Sequence, residues 1–121
     1  MEQGFLKARH MGVSIIFVDG QHRVLLYLRD NKPGISYPGC WDLLGGQIEP
    51  GELPENAIKR EVFEEIEFNL NEPQLFNVYE MGDRIEHTYW AKQEFDLSTT
   101  PLHEGQRLRW FSESEINNLR D

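Results

Sequence analysis

The sequence predicts one domain of mixed α/β (α+β) class, and three observations indicate it. The chain has 121 residues, 39% of them hydrophobic, so it is large enough for one core and too short for two. Its β-branched runs are joined by turns typical of hairpins rather than by regular βαβ crossovers. One long helical pattern stands between these strands. The predicted architecture is therefore a single domain over residues 1–121, with a helix inserted among hairpin strands.

The N-terminal half predicts a hairpin, followed by loops and a short strand. The run VSIIFV favours a buried strand over residues 11–18. Asp19-Gly20 then predicts a turn in which the glycine is free to take a positive φ, and the chain returns over residues 23–28. We further predict a loop, a short apolar strand, a glycine pair that ends this strand, and a second loop, at residues 31–39, 41–44, 45–46 and 47–53.

Residues 54–66 predict the longest helix. Pro54 suits the first helical position, and Glu55 lies in the first turn, where the helix dipole favours negative charge. Leu53 precedes them and offers no side-chain acceptor as an N-cap. One side of this helix carries apolar residues at helical spacing and is expected to face the core: Ala57, Ile58, Val62 and Ile66.

The C-terminal part predicts three strands and a short last helix. Ser112 and Glu115, three residues apart, resemble a capping box that opens this helix. Before it, we predict two strands separated by a Gly-Asp turn, a polar loop and a third strand, at residues 75–81, 84–95, 96–105 and 108–111.

The composition predicts a soluble acidic protein. Twelve basic and 21 acidic residues give a formal charge of −9 and a pI near 4.9, which disfavours nucleic-acid backbones and anionic lipid as partners. A lone cysteine, Cys40, cannot form an internal disulfide, and no apolar run is long enough to span a membrane. We therefore expect a cytoplasmic protein that binds neither nucleic acid nor membrane.

Three glutamates form an acidic cluster on the long helix. Glu61, Glu64 and Glu65 follow the spacing i, i+3 and i+4, which places them on one face, roughly opposite the apolar side. Like charges at this spacing destabilise an isolated helix. Spacing alone leaves two interpretations open: a solvated acidic face, or a set of oxygen ligands for a divalent cation such as Mg²⁺.

A longer pattern around this cluster resembles the Nudix box, G-x5-E-x7-R-E-U-x-E-E-x-G-U, where U is a bulky apolar residue. The chain matches it over residues 46–68, at Gly46, Glu52, Arg60, Glu61, Val62, Glu64, Glu65 and Phe68. Six charged or glycine positions at fixed offsets rarely coincide by chance. The resemblance implies a Nudix-type α/β/α sandwich with a mixed sheet, and it makes the solvated-face interpretation improbable.

Two positions depart from the family pattern. Glu67 stands where the family has the glycine that usually ends the helix in a left-handed residue. A non-glycine residue in that conformation costs on the order of 1 kcal/mol, unless the helix simply continues. Leu44 stands where many members carry proline. The first departure leaves the end of the helix open, while the set of carboxylates is unaffected.

The resemblance also implies roles for individual residues. Metal ligands would be Glu61, Glu64, Glu65, the backbone carbonyl of Gly45 and Glu104, a loop residue similar to the loop glutamate of MutT-type members. Either Glu64 or Glu104 would take the proton from the attacking water, and Arg60 with Glu52 would orient the other carboxylates. An ordinary loop acid remains the alternative for Glu104. Three further positions resemble substrate contacts of MutT-type proteins, although a solvated turn charge is the alternative for each: Arg29, Asp83 and Arg84.

The function implied by the resemblance is that of a Mg²⁺-dependent pyrophosphohydrolase, with Mn²⁺ as a possible substitute. Its substrate would be a nucleotide, first of all a nucleoside triphosphate, including an oxidised one, as in MutT-like enzymes. ADP-ribose or a nucleotide sugar is the alternative. A non-catalytic nucleotide-sensing module is the alternative from another class, and the protein would act as a monomer or homodimer.

Overall fold

A computed structural model describes residues 10–119 of the chain and confirms the mixed α+β class, with one mixed sheet and two helices. The elements are β1 His10–Val18, β2 Val24–Leu28, β3 Trp41–Asp42, β4 Leu44–Gln47, α1 Pro54–Ile66, β5 Gln74–Met81, β6 Arg84–Lys92, β7 Arg107–Phe111 and α2 Glu113–Asn117. Within residues 10–119, no helix is long and apolar enough to cross a membrane.

The sheet is built around β1. Five strands follow the order β3-β2-β1-β6-β5, while β4 pairs with β1 and β7 pairs with β2. The β1 and β6 strands run parallel along their whole length, from His10 opposite Arg84 to Val18 opposite Lys92, and every other pairing is antiparallel. The predicted extension of β6 to residue 95 is wrong, because its partner β1 ends at Val18 and leaves nothing to pair with.

The core lies between the sheet and α1, which packs against β1 and β4. Alternate residues of β1 point into it, as the period of two in a strand requires: Val13, Ile15 and Phe17. The apolar side predicted for the helix is confirmed, since each of its members is at most 2% exposed: Ala57, Ile58, Val62 and Ile66. Burial of this side anchors α1, so the residues beside it are held in fixed positions.

The turn between β1 and β2 forms where it was predicted, but different residues stabilise it. Asp19 accepts hydrogen bonds from the amides of Gln21 and Arg23 at 3.0 and 2.8 Å, in the manner of an Asx turn. The positive φ of 61° belongs to His22 rather than to Gly20. The side chain of Asp19 therefore shapes the turn, and the glycine is not the residue that requires conformational freedom.

The prediction that the glycine pair ends a strand is wrong. Gly45 and Gly46 lie inside β4, opposite Ser14 and Val13 of β1. A Cβ atom at Gly45 would overlap the carbonyl oxygen of Val13, so only glycine allows the two backbones to approach this closely.

The ends of both helices follow from their sequences. Leu53 is the N-cap of α1 and makes no side-chain capping bond, as predicted, while Pro54 opens the helix. At the other end α1 does not continue past Ile66, because Glu67 takes the left-handed conformation at φ 57° and ψ 35°. The capping box of Ser112 and Glu115 at α2 is confirmed.

Candidate active site

Helix α1 distributes its three clustered glutamates over different environments. Glu65 is 3% exposed and belongs to the buried side of the helix, whereas the side chain of Glu64 is 57% exposed. Glu61 lies between these extremes. The prediction that the three carboxylates lie roughly opposite the apolar side is therefore wrong for Glu65. Glu65 follows the buried Ile58 by seven residues, nearly two full helical turns, so it lies on the face that packs on the sheet.

Arg60 links several of the carboxylates around it. Its guanidinium donates to both oxygens of Glu52, from Nε to Oε2 at 2.8 Å and from Nη2 to Oε1 at 3.0 Å. Nη1 donates to Oε2 of Glu61 at 3.0 Å and to Oε1 of Glu64 at 3.2 Å. Nη2 also reaches the backbone carbonyl of Gln47 at 3.0 Å. Fork-shaped pairing of this kind fixes orientation as well as charge, so Arg60 holds Glu52 and Glu61 in place.

The pKa values of these residues reflect that pairing. The hydrogen bonds from Arg60 are the largest cause that lowers the pKa of Glu52, to about 2. The same bonds raise the pKa of Arg60, so this residue stays charged. Burial raises the pKa of Glu61, and the opposing effect of Arg60 does not fully cancel it. Glu52 and Arg60 thus form a fully charged support for the partly buried Glu61.

Gly46 provides the space in which Glu61 lies. A Cβ atom at Gly46 would overlap the Glu61 carboxyl group. Because β4 is held in place by its pairing with β1, a larger residue at this position would displace the Glu61 carboxylate. The glycine at this position of the Nudix pattern is therefore explained by the close approach of a carboxylate to the backbone.

Glu65 is the unusual group of the site. Both of its carboxylate oxygens are buried, and among residues 10–119 neither makes a hydrogen bond of ordinary geometry, although the Glu104 side chain and the Gly45 backbone approach closely enough to shift its pKa. Burial is the largest cause that raises its pKa, to about 9, and the nearby charges of Glu104 and Glu61 raise it further. The backbone of Gly45 also approaches this carboxyl group and lowers its pKa. A buried acid without a partner needs either a proton or a cation.

Glu104 is brought to this carboxyl group by the loop before β7. The amide of His103 donates to the carbonyl of Glu65 at 2.9 Å, and the amide of Gln106 donates to the carbonyl of Leu28 at 2.8 Å. Between them Gly105 takes φ 85° and lies against the ring of Tyr27, where a Cβ atom would collide with it. The loop is therefore tied both to the end of α1 and to the end of β2, with Glu104 in between.

A cleft of about 480 Å³ opens beside these residues. Gly45, Gly46 and Glu104 line it, and so do Arg29 and Arg84, two of the positions that resemble substrate contacts. Asp83 lies in the turn between β5 and β6, where its carbonyl accepts from the amide of His10, and it is not part of the lining. The fold thus brings two of these three predicted positions to the cleft.

Three lining residues carry polar chemistry that the sequence did not reveal: Tyr27, Asp42 and Glu86. Arg29 donates from Nη1 to the hydroxyl of Tyr27 at 3.1 Å and lies 3.6 Å from the carboxylate of Asp42. Burial raises the pKa of Asp42. These residues come together through strand pairing, which sets Tyr27 opposite Asp42, and no local signal in the sequence encodes that register.

The donor set fits a divalent cation. Among residues 10–119, no group of three acidic, histidine or cysteine side chains is already gathered at metal-binding distance. Even so, the carboxyl group of Glu65 is buried, and the carboxylates of Glu104 and Glu61 lie close enough to raise its pKa, so three acidic side chains converge there. Carboxylate and carbonyl oxygens are the ligands that Mg²⁺ prefers.

Comparison with known proteins gives the same family as the Nudix box in the sequence. The family model of the NUDIX domain matches residues 8–121. The chain is similar to the CTP pyrophosphohydrolase of Escherichia coli K12, with 36% identity over 80 residues that cover 64% of this chain and 58% of that protein. It is also similar to the RNA pyrophosphohydrolase of Yersinia pestis, with 34% identity over 86 residues, 66% of this chain and 47% of that protein. The match thus spans about half the length of these curated relatives.

Solved structures show the same fold. The MutT protein of Methanosarcina mazei aligns with a TM-score of 0.75 at 22% identity, covering 94% of this chain and 84% of that one. A NUDIX hydrolase from Nitrosomonas europaea aligns with a TM-score of 0.72 at 28% identity, covering 91% and 61%. Because the family model covers nearly the whole chain and the box is present, the chain belongs to the Nudix family.

Proposed function

We propose that this protein is a Mg²⁺-dependent pyrophosphohydrolase, for which Mn²⁺ can substitute. The observation that carries the proposal is the buried Glu65 carboxyl group, which makes no hydrogen bond of ordinary geometry among the described residues and interacts with Glu104, a residue that lines the cleft. A cation would be held by that carboxylate together with Glu61, Glu64, Glu104 and the Gly45 carbonyl. The names of the curated relatives, CTP and RNA pyrophosphohydrolases, are consistent with this activity.

The cation is needed because both the enzyme and its substrate are anionic. When bound, it would neutralise phosphate oxygens and activate the attacking water. The formal charge of −9 would otherwise repel a phosphoanhydride. The part of Arg60 and Glu52 is to orient Glu61 through their paired hydrogen bonds. These two residues are therefore support for the site, and Arg60 is not free to bind phosphate.

The water oxygen would attack phosphorus while its proton passes to a carboxylate, and the bridging P–O bond breaks. Glu64 and Glu104 are the two candidates for this base. The geometry favours Glu104, because it lines the cleft, whereas Glu64 is exposed on the helix and accepts a hydrogen bond from Arg60. We therefore propose Glu104 as the base and Glu64 as a metal ligand.

Arg29 and Arg84 provide positive charge on the wall of the cleft. We propose that they contact the phosphates of a small nucleotide that lies across the cleft, with its anhydride at Glu104. A long RNA is disfavoured by the acidic surface. The preferred substrate is a nucleoside triphosphate, including an oxidised one, which would yield a nucleoside monophosphate and pyrophosphate. A nucleotide sugar or ADP-ribose would fit the same carboxylates and is the second candidate.

A non-catalytic nucleotide sensor is disfavoured by the complete set of carboxylates. Such a module has no need for a buried acid without a partner, since that acid weakens the fold. The cost is accounted for if the acid holds a cation during catalysis.

A phosphate-release screen tests the proposal. Nucleoside triphosphates, 8-oxo-dGTP, ADP-ribose, a nucleotide sugar and a 5′-triphosphorylated oligoribonucleotide are each incubated with the protein, with Mg²⁺ or with EDTA. Pyrophosphate and monophosphate products are then measured. We expect Mg²⁺-dependent hydrolysis of at least one small nucleotide, and none by Glu65→Gln. Metal-independent release, or an equally active Glu65→Gln protein, would contradict the proposal.

A further inference from the structure

The residue that departs from the Nudix pattern at the end of α1 has a specific contact. Glu67 takes the left-handed conformation in which the pattern has glycine, and its amide donates to the carbonyl of Phe63 at 2.9 Å. Glycine would adopt this conformation without strain, so a glutamate is the less stable choice for the backbone. The backbone alone therefore gives no reason for a carboxylate at this position.

The Glu67 carboxylate reaches the loop that carries Glu104. Its Oε2 lies against Nε2 of His103, and the backbone amide of His103 donates to the carbonyl of Glu65 at 2.9 Å. Two links, one through a side chain and one through the backbone, thus join His103 to the last turn of α1. Glu104 follows immediately in the chain.

The loop is anchored again on the far side of Glu104. Gln106 donates from its amide to the carbonyl of Leu28 at 2.8 Å, and from its side chain to the carbonyl of Arg29 at 2.9 Å. With both flanks tied, the loop has little freedom to move Glu104 away from the helix. If the His103 side were released, only the Gln106 side would hold it.

The position of this loop matters because of what Glu104 faces on each side. Its side chain lines the cleft, and its charge reaches the carboxyl group of Glu65. A cation that binds both residues requires them at fixed positions, so movement of the loop would weaken the site.

We propose that Glu67 and His103 are positioning residues that hold Glu104 beside Glu65 and so assemble the site before a cation binds. This inference rests on the proposed function, since it assigns these residues a role toward the same cation. It also explains why a glutamate replaces the family glycine: the glutamate side chain restrains the loop, and this contact offsets the backbone strain that glycine would avoid. Both side chains are about half exposed, so their contact adds little to the stability of the fold.

The test compares Glu67→Gly, His103→Ala and His103→Gln with the wild type. Mn²⁺ affinity is measured calorimetrically on the protein without nucleotide, and hydrogen exchange is followed in the segment 102–106. Glu67→Gly and His103→Ala should raise the Kd for Mn²⁺ about fivefold and increase exchange in this segment, in line with the small free energy of an exposed side-chain contact. A glutamine side-chain amide can donate in place of the ring nitrogen, so His103→Gln should retain most of the affinity.

Thermal stability separates positioning from a structural role. Glu67→Gly should melt at the same or a higher temperature than the wild type, because glycine relieves the left-handed strain while the cation site becomes weaker. Glu72→Gln, which removes an exposed charge beyond the helix, is the matched control and should leave affinity and exchange unchanged.

Three results would overturn the inference: wild-type exchange in the segment 102–106 for Glu67→Gly and His103→Ala, a loss of affinity that only follows a drop in melting temperature, or variants whose Mn²⁺ affinity equals that of the wild type. If the wild type takes up no Mn²⁺, the proposed function fails and the inference falls with it. A wild type that binds Mn²⁺ normally, together with variants of equal affinity, rejects the positioning role alone.

Discussion

Two pairs of glutamates lie on or near helix α1, and their environments are opposite. The arginine-bound pair, Glu52 and Glu61, is held by the guanidinium of Arg60. The buried pair, Glu65 and Glu104, has no such support, and both Glu65 oxygens lack partners among residues 10–119. The pKa of Glu52 is lowered to about 2, while that of Glu65 is raised to about 9.

The two pairs differ in whether a positive charge already lies beside the carboxylates. A carboxylate that is already paired with an arginine is held in place, so it can orient its neighbours or, as we propose for Glu61, offer a fixed oxygen to a cation. An ionised carboxylate that is buried without a counter-charge destabilises the fold. Binding of a metal cation removes this cost, so it contributes to the affinity for the metal. The Nudix spacing thus encodes two kinds of glutamate, although the sequence letters are identical.

The largest effect is expected for the buried pair. Glu65→Gln removes a proposed metal ligand, so Mg²⁺-dependent turnover should fall by about two orders of magnitude or more, while the metal-free protein should melt at the same or a higher temperature. Steady-state kinetics and thermal melts in EDTA measure the two quantities. Glu64→Gln should cause a similar loss of turnover with little change in melting. Near-wild-type rates in both variants would refute the assignment.

Substitution in the arginine-bound pair should affect stability first. Arg60→Gln leaves the carboxylates of Glu52 and Glu61 without their partner, so the free energy of unfolding should fall and the urea midpoint should move to a lower concentration. Arg60→Lys keeps the charge but loses the fork-shaped contact, so its stability should lie between those of the wild type and Arg60→Gln. Urea denaturation checks both values. An unchanged midpoint for Arg60→Gln would mean that this cluster does not stabilise the fold.

Glu104→Gln should impair turnover more than folding. Its removal takes away the proposed base, and about a 100-fold loss of turnover is expected. Because the same substitution removes a like charge beside Glu65, the melting temperature in EDTA should not fall. A variant with normal turnover would exclude Glu104 as base or ligand, whereas a variant that fails to fold would indicate a purely structural loop acid.

The two pairs are also expected to change the stability of the protein in opposite directions with pH, when stability is measured in EDTA. Glu65 should cause a loss of stability as pH rises (the alkaline limb), and Glu52 a loss as pH falls (the acid limb). The pKa of Glu65 is raised from 4.5 to about 9, so its contribution is complete below pH 4.5 and is lost as pH rises toward 9. The pKa of Glu52 is lowered from 4.5 to about 2, so its contribution is present above pH 4.5 and is lost as pH falls toward 2.

Variants assign each limb to its residue. Glu65→Gln should flatten the alkaline limb alone, and Glu52→Gln the acid limb alone. Saturating Mn²⁺ should flatten the alkaline limb of the wild type, since the cation replaces the proton on Glu65. An alkaline limb that persists in Glu65→Gln would show that another group causes it.

Much of this arrangement could be predicted from the sequence, because it is encoded locally. The proline at the first helical position and the apolar spacing specify α1 to the residue, and the offsets of the Nudix box specify which carboxylates gather around it. The resemblance to the box also implied that Arg60 and Glu52 act together, and the two side chains are hydrogen-bonded.

What could not be predicted depends on contacts between distant segments. The parallel pairing of β1 with β6 joins residues more than 70 positions apart and leaves no local trace. A glycine pair inside a strand resembles one in a turn, so β4 was misplaced. The burial of Glu65 was missed because the width of the buried face of α1 depends on how the sheet lies against it. The contact of Glu67 with His103 likewise requires the folded loop.

Calorimetric titration of the intact protein with Mg²⁺ or Mn²⁺, near pH 7 in two buffers of different ionisation enthalpy, tests the central claim most directly. We predict uptake of the cation accompanied by release of about one proton, because Glu65 is protonated before the metal arrives. Proton release should disappear in Glu65→Gln. Absence of uptake even with a nucleotide present, or uptake that Glu65→Gln leaves unchanged, would contradict the claim.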